Sequence, residues 1–454
     1  MSLLTVASHI KALGTVEIFD LNIQTEQALL HQIQAKKYAI IGMKVSAQNY
    51  FIAKNLTHAI KQLPQKSKII WGGEYPTLMP EECLQNADTI VTGLFHSIAP
   101  QLIADFKKDT LQRRYTGNNQ GVSIDNDAIN FNLLGNINRY NKFMGLPLET
   151  TRGCTEVCTF CMVHTMQAKH YHTKPIENIQ AEVKAIGNNF INIIDYNFGV
   201  NKSHVIEVCK IIETSNAIGF MAEMCIELLD DEEILTALAA ARCKMIYCGL
   251  ETIDETALKS IHKMNTNHIE NYTRIIEKVQ RYGIQIASGF ILGMAGTTNA
   301  TFKKSLNFFE DLGIIYVKLT FLTYNPGTRA HTYYKKKGSY IAKEPMHYDG
   351  NHLSYLPDSV SEETIHAGTD YFVDKFYSLS GLIRRAFKTN GNFKAKMAFV
   401  LFNYCYSRPY KLWIKHQLFS NDEAFKKALM QPYQKSTILR MAESLLLYIW
   451  KQAK

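Results

Sequence analysis

The chain has 454 residues, 46% apolar and 20% charged, a balance that excludes a disordered or collagen-like protein. Its length suits two or three domains with sizeable cores. Fifty Lys and Arg against 41 Asp and Glu give a formal charge of +9, which first points to a polyanionic partner.

The opening residues Met1-Ser2-Leu3-Leu4-Thr5-Val6 lack the basic start and long apolar core of a signal peptide. No apolar run reaches the roughly 18 residues a membrane span needs. The expected compartment is therefore the cytoplasm. Helix (Ser2–Ala12) and strand (Val16–Asp20) open an alternation that continues as helix Thr25–Lys36, strand Tyr38–Gly42 and helix Tyr50–Leu63. Strand Ile69–Trp71 closes on Gly72-Gly73, and strand Thr89–Val91 closes on Gly93. Short β-rich runs between helical patterns predict a parallel α/β sheet over residues 1–110. Residues 111–145, Asn- and Gly-rich around Gly117–Gly121, read as a linker.

The alternation resumes at Leu146. Strands are expected at Ile191–Asp195, Phe220–Met224, Met245–Leu250, Ile284–Leu292 and Ile314–Leu322, with helices such as Ile176–Ile186 and Asp231–Ala241 between them. Such repeats predict a full or partial βα barrel over 146–345. Residues 346–454 read as helical, most clearly after Ser361.

Nine cysteines, an odd number in a long chain without a signal peptide, argue against a disulfide framework. Cys154, Cys158 and Cys161 form a C-x3-C-x2-C cluster at the first strand-to-loop turn of the expected barrel. Three closely spaced thiolates can hold three corners of an iron–sulfur cube, leaving one iron open to substrate or cofactor. The alternative is a Cys3His zinc site completed by His164 in a non-catalytic scaffold. Cys209, Cys225, Cys243, Cys248 and Cys405 show no ligand spacing and read as buried thiols.

This spacing, with Phe160 before the third cysteine, resembles the radical S-adenosylmethionine (SAM) superfamily. Ile193–Phe198, Ala222–Met224, Tyr247-Cys248-Gly249-Leu250-Glu251-Thr252, Gly289–Thr297 and Tyr324-Asn325-Pro326-Gly327-Thr328 resemble its later strand segments, in order. The resemblance implies a 4Fe–4S cluster on Cys154, Cys158 and Cys161, with Phe160, Asp195, Asn197 and Glu251 around SAM. It implies a partial six-stranded (β/α)6 barrel and reductive cleavage of SAM to a 5′-deoxyadenosyl radical, fed by a flavodoxin- or ferredoxin-type donor.

Residues 1–110 resemble the Rossmann-like cobalamin-binding domain that precedes the barrel in one subclass, through Ile18–Leu21, Tyr38–Met43 and Trp71–Thr77. The resemblance makes Gly42, Gly72, Gly73 and Gly93 cobalamin neighbours. Two departures stand out: Leu94-Phe95-His96 replaces the usual Glu-Gly-Glu, and the reading opens on the helix at Ser2, so the family's first strand is not expected in this domain. His347–Pro357 and Phe376–Arg385 resemble the region after the barrel in the group holding hopanoid-modifying enzymes and the magnesium-protoporphyrin monomethyl ester cyclase. The implied reaction is methyl transfer to an unactivated carbon of a hydrophobic small molecule or lipid; cobalamin-independent cyclisation or rearrangement is the rival.

From Arg384 to Lys454 there are 14 Lys and Arg and 3 Asp and Glu, so this tail carries +11 and the preceding body −2. Thirteen aromatics from Phe387 to Trp450 are interleaved with these cations, a mixture that suits peripheral contact with an anionic membrane. The bland reading is a solvated helical cap. Nucleic acid is the less favoured partner, because tRNA-modifying relatives carry extra N-terminal cysteines and only Cys83 is present there.

Overall fold

A computed structural model describes residues 2–21, 24–117, 129–134, 145–167, 170–339 and 341–389, with isolated residues from 393 to 415. Most of the basic tail, including Cys405 and the aromatics beyond Tyr410, lies outside the described residues.

Four parallel strands make the first sheet, in the order β1 (Ile40–Lys44), β2 (Lys68–Gly72), β3 (Thr89–Thr92) and β4 (Arg114–Thr116). Its core gathers Ile33, Tyr50, Leu56, Ile60 and Trp71. Trp71 is fully buried, so its indole N–H needs a partner, and it donates to Thr57 Oγ1 at 3.0 Å. Strand β4 falls within the expected linker, and Ile129 and Phe131 beyond it are buried in the barrel's core.

The expected strand at Val16–Asp20 does not form; these residues lie outside either sheet. A strand needs a neighbour, and among the described residues none pairs with the outer edge of β1, where Gly42 stands exposed. Glu17 instead accepts hydrogen bonds from Lys36, Tyr38 and Gln32, tying the segment to the helix Glu26–Lys36.

The second sheet starts with β5 (Leu146–Leu148). A short antiparallel pair, β6 (Thr151–Arg152) and β7 (His172–Thr173), brackets the cysteine loop. Strands β8 (Phe190–Ile193), β9 (Gly219–Glu223), β10 (Cys243–Glu251), β11 (Gln285–Leu292) and β12 (Tyr316–Phe321) complete a six-stranded parallel sheet, ordered sequentially from β5 to β12. This is the partial barrel expected from the sequence. Side chains alternate along each strand. One set, such as Ile246, Cys248 and Leu250 on β10 and Val317, Leu319 and Phe321 on β12, is fully buried against the surrounding helices. The other set, including Tyr247, Gly249, Tyr316 and Lys318, is less buried and lines the concave lumen.

A six-stranded barrel leaves β12 with a free edge, and unpaired backbone groups there need partners. The Tyr377 hydroxyl donates to Val317 O at 2.8 Å and accepts from Val317 N at 3.3 Å. The Tyr410 hydroxyl does the same for Leu319, donating to its carbonyl at 3.1 Å and accepting from its N–H at 2.6 Å. Phe321 N donates to Gly350 O at 2.7 Å. The segments after the barrel, with helices Glu362–Phe376 and Leu379–Lys388, thus seal the edge.

The two sheets meet through their carboxyl-end loops. Helix Glu74–Leu78 packs against Met162–Gln167, just past the cysteines. Gly327 has φ +83°, and a Cβ there would lie 2.4 Å from Leu78 O, so only glycine allows this approach. Gln48 Nε2 donates to Tyr348 O at 3.3 Å. Replacing Tyr377 by Phe is expected to strand both backbone groups of Val317 and to lower stability by about 1–3 kcal/mol, measured as a shift in the denaturant midpoint.

Candidate active site

The cysteine loop is fixed at both ends. Arg152 pairs with His172 across the β6–β7 ladder. Gly153 has φ +95°, and a Cβ there would sit 1.8 Å from His170 O, so this turn tolerates no side chain. Farther along, Thr159 N donates to Ile261 O at 3.1 Å, and Cys161 N to Cys158 O at 3.1 Å. Phe160 packs with Ile261, Met294, Leu322 and Tyr324, seating the loop on the barrel.

All three cysteines are half-buried and outside any disulfide. Burial pushes the Cys158 thiol up to about 12, while Lys263 pulls it back and Cys161 and Cys154 add to the rise. Burial also raises Cys154. The Cys154 and Cys158 thiols stay protonated until iron displaces their protons, so binding a cluster releases acid. Three soft donors on one short loop fit an iron–sulfur cube. Among the described residues no three His, Cys, Asp or Glu side chains converge on a single-ion site; the His164 side chain lies outside the described residues. Cys83, Cys209, Cys243 and Cys248 are buried.

The acidic and amide residues expected around SAM fall into distinct places. Asp195 is buried, with both carboxylate oxygens on Thr150: its N–H donates at 2.7 Å and its hydroxyl at 2.5 Å. Burial raises Asp195 to about 6 against these donors. It braces the exits of β5 and β8 beneath the cysteine loop. Asn197 spans the exits of β8 and β9, its Oδ1 accepting from Cys225 N at 3.1 Å and its Nδ2 donating to Cys225 Sγ at 3.2 Å.

Glu251 ends β10 in the left-handed region, φ +63°, and folds its carboxylate back over Gly249. A Cβ at Gly249 would be 2.3 Å from Glu251 Oε1 and 2.7 Å from Lys263 Nζ. Lys263 Nζ donates to Glu251 Oε1 at 2.5 Å and to Gly249 O at 2.9 Å. Burial works against the Lys263 charge, yet Glu251 and Cys158 beside it hold the ammonium above the usual lysine range. Sequence reasoning missed Lys263, which lies 12 residues past Glu251 with no periodic signal linking the two.

On the first sheet, Gly72 ends β2 with Gly73 just after it, and Gly93 follows β3, whereas Gly42 sits mid-strand on the open edge of β1. A Cβ on Gly73 would meet Val45 O at 2.8 Å, and one on Gly93 would meet Gly117 O at 2.5 Å. Close backbone packing therefore demands these two glycines, and it leaves a shelf poor in side chains, the kind of surface a flat macrocycle requires. Tyr196 is 45% exposed; crowding raises its hydroxyl to about 12, with Glu149, Glu74 and Cys161 adding to the rise. Its hydroxyl therefore lies within electrostatic range of both Glu74, just past the exit of β2, and Cys161 on the cysteine loop. His96 stands where the Glu-Gly-Glu departure was noted. Its Nε2 is buried without a hydrogen-bond partner, and burial, then Arg152, pushes it down to about 4.

A cysteine loop on the strand exits of a partial parallel barrel, faced by a nucleotide-type sheet, defines a SAM-cleaving iron–sulfur enzyme with a second cofactor domain. Comparison with known proteins agrees. The radical SAM superfamily model matches residues 148–309, and the B12 binding domain model matches residues 1–103. The chain thus carries a radical SAM domain with a B12-binding domain ahead of it, and its relatives are B12-binding radical SAM methyltransferases. It is 24% identical over 304 residues to bacteriochlorophyllide d C-8(2)-methyltransferase of Chlorobaculum tepidum, covering 64% of this chain and 67% of that one. Hopanoid C-2 methylase of Rhodopseudomonas palustris is 24% identical, over 54% of this chain and 48% of its own. The structure of the radical SAM methyltransferase TsrM from Kitasatospora setae, with cobalamin and a 4Fe–4S cluster, aligns at TM-score 0.68 and 14% identity, covering 98% and 96% of the two chains. The cofactors of this class are a 4Fe–4S cluster and SAM, with cobalamin assigned to the first domain; a reductant and an organic substrate are its general partners.

Gly249→Ala is expected to drive the Glu251–Lys263 pair off β10. The fold should survive with about 1–3 kcal/mol lost, and SAM affinity should fall roughly tenfold or more, read by anaerobic calorimetry on reconstituted protein.

Proposed function

We propose that this chain is a cobalamin-dependent radical SAM methyltransferase acting on an unactivated carbon of a substrate with a large apolar framework. The observation that carries the reading is the apposition of the two sheets' carboxyl-end loops, with helix Glu74–Leu78 against Met162–Gln167 and Gly327 against Leu78. Bound there, a cluster, SAM and cobalamin supply reductive cleavage of the sulfonium, a hydrogen-abstracting 5′-deoxyadenosyl radical and a methyl donor. The chain's own residues do the positioning. Cys154, Cys158 and Cys161 hold iron; Glu251, released from Lys263, and Asn197 orient SAM; Asp195 keeps the loop's base rigid through Thr150. Gly72, Gly73 and Gly93 form the floor under cobalamin, and Gly42, on the exposed edge of β1, stands apart from it. The electron donor is of flavodoxin or ferredoxin type. Similarity to enzymes named for bacteriochlorophyllide and hopanoid methylation favours a bulky, largely apolar substrate.

Anaerobic reconstitution tests this directly. The wild type should take up about four irons per chain, form 5′-deoxyadenosine from SAM and retain cobalamin; Cys158→Ala should lose iron and SAM cleavage. SAM cleavage without retained cobalamin would favour rearrangement, and a zinc-loaded protein inert with SAM would remove the enzymatic reading.

Cytoplasmic placement with peripheral membrane contact belongs to the same proposal. No helix among the described residues is long and apolar enough to cross a membrane. Helix Leu379–Lys388 buries Leu382, Arg385 and Ala386 and presents Leu379, Ile383 and Phe387, 51%, 39% and 59% exposed, as a stripe at four-residue spacing. Residues 375–421 hold nine Lys or Arg and no acid, a charge that matches an anionic lipid surface. Ile383→Asp with Phe387→Asp should cut sedimentation with phosphatidylglycerol vesicles severalfold while leaving iron uptake intact. Binding unchanged by these substitutions would count against the bilayer.

A further inference from the structure

The lumen carries charge that the radical chemistry does not use. Parallel register sets Glu223, Tyr247, Ala287 and Tyr316 side by side across β9 to β12. Two residues nearer the strand exits, Gly249, Gly289 and Lys318 form the next tier. Small residues open space here for their neighbours. A Cβ on Gly289 would be 2.6 Å from the Tyr247 hydroxyl, so that ring reaches across β11 toward β12.

Glu223 is solvent-exposed and Lys318 half-buried, yet both project into a concavity walled by protein. Crowding raises the Glu223 carboxyl, Lys318 pulls it back, and Glu251 and Lys263 also act on it; the Glu251–Lys263 pair therefore lies within electrostatic range of the lumen pair. Neither Lys318 Nζ nor the Glu223 carboxylate makes a hydrogen bond or ion pair among the described residues. A pure hydrocarbon filling this lumen would strip water from both charges and return nothing. A substrate that brings its own polar groups avoids that cost.

We infer that Lys318 seats a carboxylate of the substrate while Glu223 accepts a hydrogen bond from a donor on the same molecule, above the Tyr247 ring. The inference rests on the proposed radical SAM reading and sharpens its substrate class, from bulky and apolar to bulky and carboxylate-bearing. Lys318 and Glu223 set specificity and carry no chemical step.

The test uses reconstituted holoenzyme with SAM and two aromatic probes, indole-3-propionate and its neutral amide indole-3-propionamide. Anaerobic calorimetry should show the carboxylate binding roughly tenfold or more tighter. Lys318→Met should abolish that preference and Lys318→Arg should retain most of it, with iron content and circular dichroism reporting that each variant folds. Equal binding of the two probes, no binding of the carboxylate, or a preference unchanged in Lys318→Met overturns the assignment. Failure of the wild type to cleave SAM would overturn the underlying reading, and it is distinguishable because probe binding requires no cleavage.

Discussion

Parallel strands all deliver their carboxyl ends to one edge, and both sheets of this protein are parallel. Chemistry that uses both can occur only where those two edges face each other. The contact between Gly327 and Leu78 enforces this: a left-handed turn without a side chain lets one domain's loop lie on the other's backbone. The shelf at Gly73 and Gly93, the cysteine loop and Tyr196 all take their relation from that apposition. Loosening it would separate cofactor sites that are each intact alone.

Within the barrel, glycine recurs for a similar reason at closer range. Gly249 admits the Glu251–Lys263 pair, Gly289 admits the Tyr247 ring and Gly153 admits the backbone of His170. Each absent side chain is a place where a neighbour enters. The pair at Glu251 holds a carboxylate ready in a dry setting, compensated by a single ammonium, until a ligand offers a better partner.

Much of this was legible in the sequence, because it lay in local pattern. The C-x3-C-x2-C spacing, the order of strand-end motifs and the alternation of strands with helices after Leu146 pointed to the barrel and its cysteine loop. Helix Ile176–Ile186 falls where the apolar period put it, and Asp231 caps the helix Glu232–Ala240 through the N–H groups of Glu233 and Ile234. What stayed hidden depends on distance in space. Val16–Asp20 has a strand's composition, but a strand exists only against a neighbour. Asp195 reads as a ligand from its place at a strand end, while its parity with Ile191 and Ile193 turns it inward onto Thr150. Lys263, Lys318 and Tyr410 carry no motif; only the fold brings them to Glu251, the lumen and the free edge.

The hydroxyl caps on β12 bear on how the chain reaches its native state. Val317 and Leu319 are made long before Tyr377 and Tyr410, so during synthesis the barrel's last strand waits with its backbone bare. Through that interval it is a template for any extended segment nearby, including the same strand of a neighbouring nascent chain. The protein can finish its barrel only after some ninety further residues have emerged. How long that edge stands bare is a matter for chaperones and translation speed rather than for the catalytic centre.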